Sequence, residues 1–244
     1  MMNTATQTLL DAKGLRAWYG AAQILFDLDL QVGRGEVVAL MGRNGAGKST
    51  TLKAIMGMLD KRRGDIHFLG HDISRSEPYQ AARLGLAFVP EDRRVFTDLT
   101  VMENLAVGRQ PPRGDGRGAP EWTPERLFKL FPNLGEMPQR PGGRMSGGEQ
   151  QMLTVARALM GNPYLVLLDE PSEGVAPVIV EQMANMILEL KANGVSILLS
   201  EQNMHFAELV SDRAYVLEKG QIRYHATMQE LADNEEVRRA YLSV

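Results

Sequence analysis

The chain has no cysteine among its 244 residues. Disulfides, thiolate metal sites and cysteine nucleophiles are therefore excluded, and the composition fits a reducing cytoplasm. Long hydrophobic runs are also missing. The longest, "VVALM" and "LVLL", are far too short to cross a bilayer. The opening "MMNTATQTLLDAKG" lacks the basic region and apolar core of a secretory signal. Excess charge is absent too: a formal net charge of −3 announces neither nucleic acid nor anionic lipid. These absences predict a chain soluble by itself, with any role at a membrane coming through a partner. No internal repeat is evident, so each motif occurs once.

A length of 244 residues fits one domain, or one core with a smaller lobe inserted. The patterning is α/β. "FDLDLQV" alternates as a half-exposed antiparallel strand does, and "EVVALMG" is a continuous apolar run suited to a strand buried on both faces. A helix is expected from Ser49 to about Met58, then a strand or hairpin at "GDIHFLGHDI" and a buried strand ending near Pro90. From "TVMENLAVG" to about Arg144 the pattern is helical, interrupted by "GRQPPRGDGRGAP". The Arg113-Gly114-Asp115 triplet there is what a loop of this composition yields by chance. Thr123 and Pro124 predict the cap and first residue of a helix. The last third alternates strand and helix. Ile179, Met183, Met186, Ile187 and Leu190 form an apolar stripe read as core, and Gly194 marks a helix stop.

Three motifs carry chemistry. Gly42, Arg43, Asn44, Gly45, Ala46, Gly47, Lys48, Ser49 and Thr50 contain the phosphate-binding pattern G-x-x-x-x-G-K-[ST] between a strand and a helix. Its glycines let successive N–H groups turn toward a β-phosphate, Lys48 brings a positive charge, and Ser49 offers a hydroxyl to Mg²⁺. "YLVLLDE" delivers Asp169 and Glu170 to the carboxyl end of a buried strand, where open α/β sheets place ligands. Alone, such a pair could cap a helix. Beside a phosphate loop, Asp169 reads as a Mg²⁺ holder and Glu170 as the group that orients and deprotonates water. In "MSGGEQ", Ser146 and Glu149 form a capping box. The intervening Gly147 and Gly148 are costly in a helix, about 1 kcal/mol each against alanine. They suit a backbone that approaches a phosphate closely.

In this order and spacing, "GRNGAGKST", "MSGGEQ" and "YLVLLDE" resemble the nucleotide-binding subunit of an ABC transporter, across nearly the whole chain. The resemblance implies one ATPase domain over residues 1–244. It would have a P-loop NTPase (RecA-like) core, an antiparallel β subdomain, and a helical subdomain inserted at roughly 95–155. It implies ATP and Mg²⁺. It also implies two cassettes head to tail, so that Ser146, Gly147, Gly148 and Glu149 meet the ATP held by a partner's P-loop. Tyr19 resembles the aromatic that stacks on adenine; the lesser alternative is a cross-strand aromatic in an exposed sheet.

Three positions depart from the common cassette pattern. Glu91 replaces a glutamine, Ala176 an aspartate, and Gln202 the histidine that contacts the γ-phosphate. Gln202 can donate a hydrogen bond but cannot carry a proton, which leaves Glu170 as the base. Glu91 is either a Mg²⁺ ligand or a charge that repels phosphate until neutralised. "VPEDRRVF", "EPSEGVAP" and "LLSEQN" are similar to the ATPases of branched-chain (hydrophobic) amino-acid importers, a pattern shared by importers of urea and short amides. The lipopolysaccharide-export cassette usually keeps the aspartate and histidine missing here.

The implied partners are two membrane permeases, a second cassette (heterodimer, or a second copy) and, indirectly, a periplasmic binding protein, all placing the chain on the cytoplasmic face of the inner membrane. Arg93, Arg94, Val95 and Phe96 either line the groove for a permease coupling helix or form a solvated loop. An ABC ATPase acting on nucleic acid would carry coiled-coil or basic insertions, and a GTPase would carry a guanine-reading N/T-K-x-D element. Neither feature is present.

Overall fold

The computed structural model describes residues 7–114 and 120–242. Asp115 of the Arg-Gly-Asp triplet lies outside them. In chain order the elements begin with β1 (Thr8–Tyr19), β2 (Ala22–Gly33), β3 (Val37–Met41), α1 (Lys48–Met56), β4 (Lys61–Phe68), β5 (His71–Asp72), α2 (Pro78–Leu84) and β6 (Leu86–Val89). Helices α3 (Val101–Gly108), α4 (Pro124–Leu130), α5 (Pro132–Gly135) and α6 (Gly147–Leu159) follow. The chain then runs through β7 (Leu165–Asp169), α7 (Pro177–Ala192), β8 (Ser196–Glu201), α8 (Met204–Val210), β9 (Arg213–Glu218), β10 (Gln221–Thr227), α9 (Met228–Asp233) and α10 (Glu235–Tyr241).

One sheet has the order β2-β1-β4-β5 and is antiparallel throughout. The other runs β10-β9-β3-β8-β7-β6; its strands are parallel except β10, which returns from β9 as a hairpin. Period-two patterning explains both. Along β2, Leu28, Leu30 and Val32 are buried and Asp27, Asp29 and Gln31 are exposed. Strands β3, β7 and β8 are buried on both faces. Val37, Ala39 and Met41 join Val166, Leu168, Ile197 and Leu199 in one apolar cluster. Val38, Leu40, Leu165, Leu167 and Leu198 point into the other.

Helices α3 to α6 lie between β6 and β7 without adding a strand to either sheet, and α3 packs along α6. Thr123 caps α4 with Pro124 next to it, as its residue type predicts. On α7, Met183, Met186, Ile187 and Leu190 are buried and Ile179 is partly covered. Gly194, with φ +84°, closes that helix by donating to the Lys191 carbonyl. Helix α1 starts one residue earlier than predicted and stops at Met56, because Gly57 turns left-handed there.

Candidate functional site

Sheet order builds the site. Strand β8 lies between β3 and β7, with Met41 opposite Glu201 and Asp169 opposite Ser200. Two strand spacings, roughly 10 Å, therefore separate the loop after β3 from the carboxylates after β7. A lysine side chain spans that gap.

The loop turns through glycines where no other residue fits. A Cβ on Gly42 (φ +156°) would meet the Leu217 carbonyl oxygen at 2.4 Å, and Gly47 enters α1 at φ +112°. Lys48 Nζ donates to the Gly42 carbonyl at 2.8 Å and pairs with Glu170 Oε1 at 3.0 Å. Lys48 is 3% exposed and Glu170 7%. Burial pushes the Glu170 carboxyl up. Hydrogen bonds to Glu173 and Lys48, and the Lys48 charge, more than offset that and hold it below its ordinary value. Glu170 also has a left-handed backbone at φ +45°, anchored by its N–H to Ser200 Oγ at 3.0 Å. A non-glycine residue held this way is strained, a condition concentrated at functional sites.

A cavity of about 240 Å³ opens beside Lys48, Ser49, Thr50 and Glu170, with Gly45 and Gly47 on its wall and Ile24 of β2 closing it. Asp169 is 2% exposed and accepts from Ser200 Oγ at 2.7 Å, while the neighbouring cation Lys48 goes to Glu170 instead. A buried carboxylate with a hydroxyl for company, next in sequence to the Glu170 that lines the cavity with Ser49, supplies hard oxygen donors. It suits Mg²⁺, which keeps most of its waters. Among the described residues no cluster of three or more acidic or histidine side chains forms a fuller cage. Glu91 is exposed, and its charge reaches Glu173.

Gln202, expected to face phosphate, donates its Nε2 to Glu173 Oε2 at 3.0 Å. Glu173 was not anticipated from the sequence. The neighbouring Glu170 carboxyl, burial and the charges of Glu170 and Glu91 push its carboxyl up to about 7. Beneath both, Glu201 is 1% exposed and raised by burial. It accepts from Ser172 Oγ at 2.7 Å and from the N–H groups of Gln202 and Asn203, each at 2.9 Å. The only sequence signal for this group was a second glutamate three positions beyond Glu170.

Tyr19 sits at the tip of the β1–β2 hairpin opposite Ala22, 49% exposed, on the hairpin that also carries Ile24. Ser146, Gly147, Gly148 and Glu149 stand apart. They open α6, and among the described residues no hydrogen bond or ion pair joins them to the phosphate loop. Their glycines have a reason inside the chain. A Cβ on Gly147 would meet the Arg93 guanidinium at 2.8 Å, and one on Gly148 would meet Ile179 at 2.7 Å. Close packing against Ile179 therefore gives Gly148 a reason that needs no phosphate, whereas the Arg93 guanidinium is the end of a flexible side chain and could move aside for a Cβ at Gly147.

A profile of the ABC transporter family matches residues 25–173. The chain belongs to the ABC transporter family. It is 43% identical to the high-affinity branched-chain amino acid transport ATP-binding protein BraG of Pseudomonas aeruginosa, over 96% of this chain and 99% of that one. It is 33% identical to the lipopolysaccharide export system ATP-binding protein LptB of Escherichia coli, over 96% of each. A solved ATP-binding cassette of an ABC transporter matches with TM-score 0.80 and 29% identity, covering 96% of this chain and 98% of that one. The α/β P-loop NTPase fold and ATP hydrolysis expected from the motifs are those of this ABC protein. Among the described residues no helix is long and apolar enough to cross a membrane.

The ABC chain also carries a groove of about 580 Å³ between the β6 region and α6, with Met58, Tyr79, Phe88, Val107 and Arg157 on its walls. Arg93–Phe96 do not line it and lie behind Arg157. Arg157 donates to the Arg94 carbonyl at 2.7 Å and covers the Phe96 ring. Thr154 Oγ1 donates to the Arg93 carbonyl at 2.6 Å.

Proposed function

We propose that this ABC ATPase powers uptake of branched-chain or other hydrophobic amino acids through membrane permeases. The observation that carries the substrate class is the likeness to BraG, ten points of identity above that to the lipopolysaccharide cassette over the same share of the chain. Glu91, Ala176 and Gln202 point the same way.

In this reading the phosphate loop from Gly42 to Thr50 binds ATP, with Lys48 leaving Glu170 for the β- and γ-phosphates. Tyr19 stacks on the adenine. Ser49 and Asp169 hold Mg²⁺, with Glu91 facing the same space. When bound, the ion supplies positive charge across the phosphate oxygens. Glu170, freed of Lys48 and ionised, orients a water and takes its proton as the water attacks the γ-phosphate. Gln202 donates a hydrogen bond toward that phosphate. Ser146, Gly147, Gly148 and Glu149 complete the site of a second cassette, which supports the two-cassette arrangement because this chain keeps them away from its own loop. The groove at Tyr79 and Val107 receives a permease segment on the cytoplasmic face of the inner membrane, and a periplasmic binding protein delivers the solute.

Co-expression with permeases, a second cassette and a binding protein of a branched-chain amino-acid importer tests the reading. ATP turnover of the purified complex should rise with binding protein loaded with leucine or isoleucine. Stimulation by urea or short amides, with none by leucine, would replace the substrate class.

A further inference from the structure

The first half of the phosphate loop is a turn from Arg43 to Ala46. Ala46 N–H closes it by donating to the Arg43 carbonyl at 3.1 Å, and Gly45 is left-handed within it at φ +80°. Both ends of this turn are tied to the C-terminal part of the chain. Gly220, between β9 and β10, donates its N–H to the Ala46 carbonyl at 2.8 Å. At the other end Arg43 Nη2 donates to the carbonyls of Arg239 and Leu242, each at 3.4 Å. Those carbonyls belong to the last turn of α10 and to its C-cap. A helix leaves its final carbonyls without internal partners and with a partial negative charge, and a guanidinium answers both needs. Helix α10 is itself fixed. Leu242 is 1% exposed in the larger apolar cluster, with Val237 and Tyr241 packed against it. Tyr241 lines the same cavity of about 280 Å³ as Asn44 and Gly45.

The tie reaches the lysine. The carbonyls of Gly42 and Arg43 both accept from Lys48 Nζ, at 2.8 and 3.3 Å, so the place of Arg43 bears on the place of the Lys48 charge. A site that holds its binding shape only part of the time binds more weakly by that fraction. We propose that α10 is a positioning element for ATP binding: through Arg43 it holds the first turn of the phosphate loop in the shape that meets the phosphates. This rests on Gly42 to Thr50 being the ATP site. The contact is made to backbone oxygens of α10. Substituting an α10 side chain therefore spares it, and shortening α10 removes it.

The test is calorimetric ATP binding with denaturant unfolding run beside it. A chain stopped after Arg238 lacks both acceptor carbonyls. Its Kd for ATP should rise ~5-fold or more, as for a loop in its binding shape a fifth of the time or less. Arg43→Ala should raise Kd by a similar factor, and the two changes together should be little worse than one, because they remove the same tie. Leu242→Ala loses packing but keeps its carbonyl, so it should lower the unfolding midpoint and leave Kd within about twofold. Wild-type affinity in the stopped chain or in Arg43→Ala overturns the proposal, as do multiplying losses in the double variant or an equal loss in Leu242→Ala. If the stopped chain does not fold, amide exchange in full-length Arg43→Ala without nucleotide decides. Faster exchange at Asn44 to Ala46 and in the last turn of α10 supports the tie, and unchanged exchange removes it. Lys48→Ala is measured in parallel. Normal ATP binding there would sink the loop as the ATP site, a failure distinct from that of α10.

Discussion

Helix α1 begins at Gly47, left-handed, with no side-chain cap and no acidic residue in its first turn, whereas α6 begins at Ser146 with both halves of a capping box. In α6 the Ser146 N–H donates to Glu149 Oε2 at 2.7 Å and Glu149 N–H returns to Ser146 Oγ at 3.4 Å. Helix N-termini leave four N–H groups unpaired and carry a partial positive charge. Helix α6 answers both needs from its own sequence. Helix α1 answers neither, and its Lys48 pairs instead with Glu170 of the turn after β7. An uncapped, glycine-entered terminus takes its anion from outside, as phosphate sites do. A self-capped terminus is stable without one, so it can wait at a surface until a second subunit brings a phosphate.

The largest effect should come from removing the anion at α1. Glu170→Gln should slow turnover by roughly 10²- to 10⁴-fold, the scale of a positioned general base. ATP binding should hold or tighten, because a competitor for Lys48 is gone. Turnover near wild type would mean that Glu170 is only a counter-ion. Next, Lys48→Ala leaves Glu170 buried and unpaired. Breaking a buried pair by removing one partner costs about 3–5 kcal/mol, so denaturant unfolding should show a loss of that size together with loss of ATP binding. A protein as stable as wild type would mean that Glu170 reaches solvent more easily than its burial implies.

Gly148→Ala sharpens the other side of the comparison. Its Cβ would lie 2.7 Å from Ile179 Cγ1, inside the packing of α6 against α7. Overpacking of this kind costs about 1–3 kcal/mol. Adding Ile179→Ala should relieve most of the strain. If stability returns and turnover of the assembled complex does not, Gly148 serves phosphate as well as packing.

How much of this could be read from sequence depended on how far apart the partners lie. The phosphate loop, the Ser146–Glu149 box, the Thr123–Pro124 helix start and the α7 stripe are short-range patterns, and each took the backbone form its spacing predicted. The placing of Glu173 was illegible because its partner Gln202 lies 29 residues away on the next strand end. Nothing in "PSEGVAP" reveals that contact. Gly147 and Gly148 invited a phosphate explanation because their neighbours Arg93 and Ile179 are distant in sequence. Arg93–Phe96 were read as either groove wall or solvated loop, and their ties to Thr154 and Arg157 on α6, 61 and 63 residues away, could not be read from the segment itself.

The smallest effect on stability is the most telling for the two helix ends. Ser146→Ala removes one acceptor from the α6 box and should cost about 1 kcal/mol. ATP affinity of the separate chain should not change, because Ser146 makes no contact with its own phosphate loop. If α6 completes a site on a partner cassette, turnover of the assembled complex should fall at least about tenfold, a loss in transition-state stabilisation beyond anything the cap contributes to folding. Calorimetry on the chain alone and turnover of the complex separate the two contributions. Equal, small effects in both would make α6 a capped helix and nothing more. They would leave the uncapped α1 as the only phosphate site this chain builds.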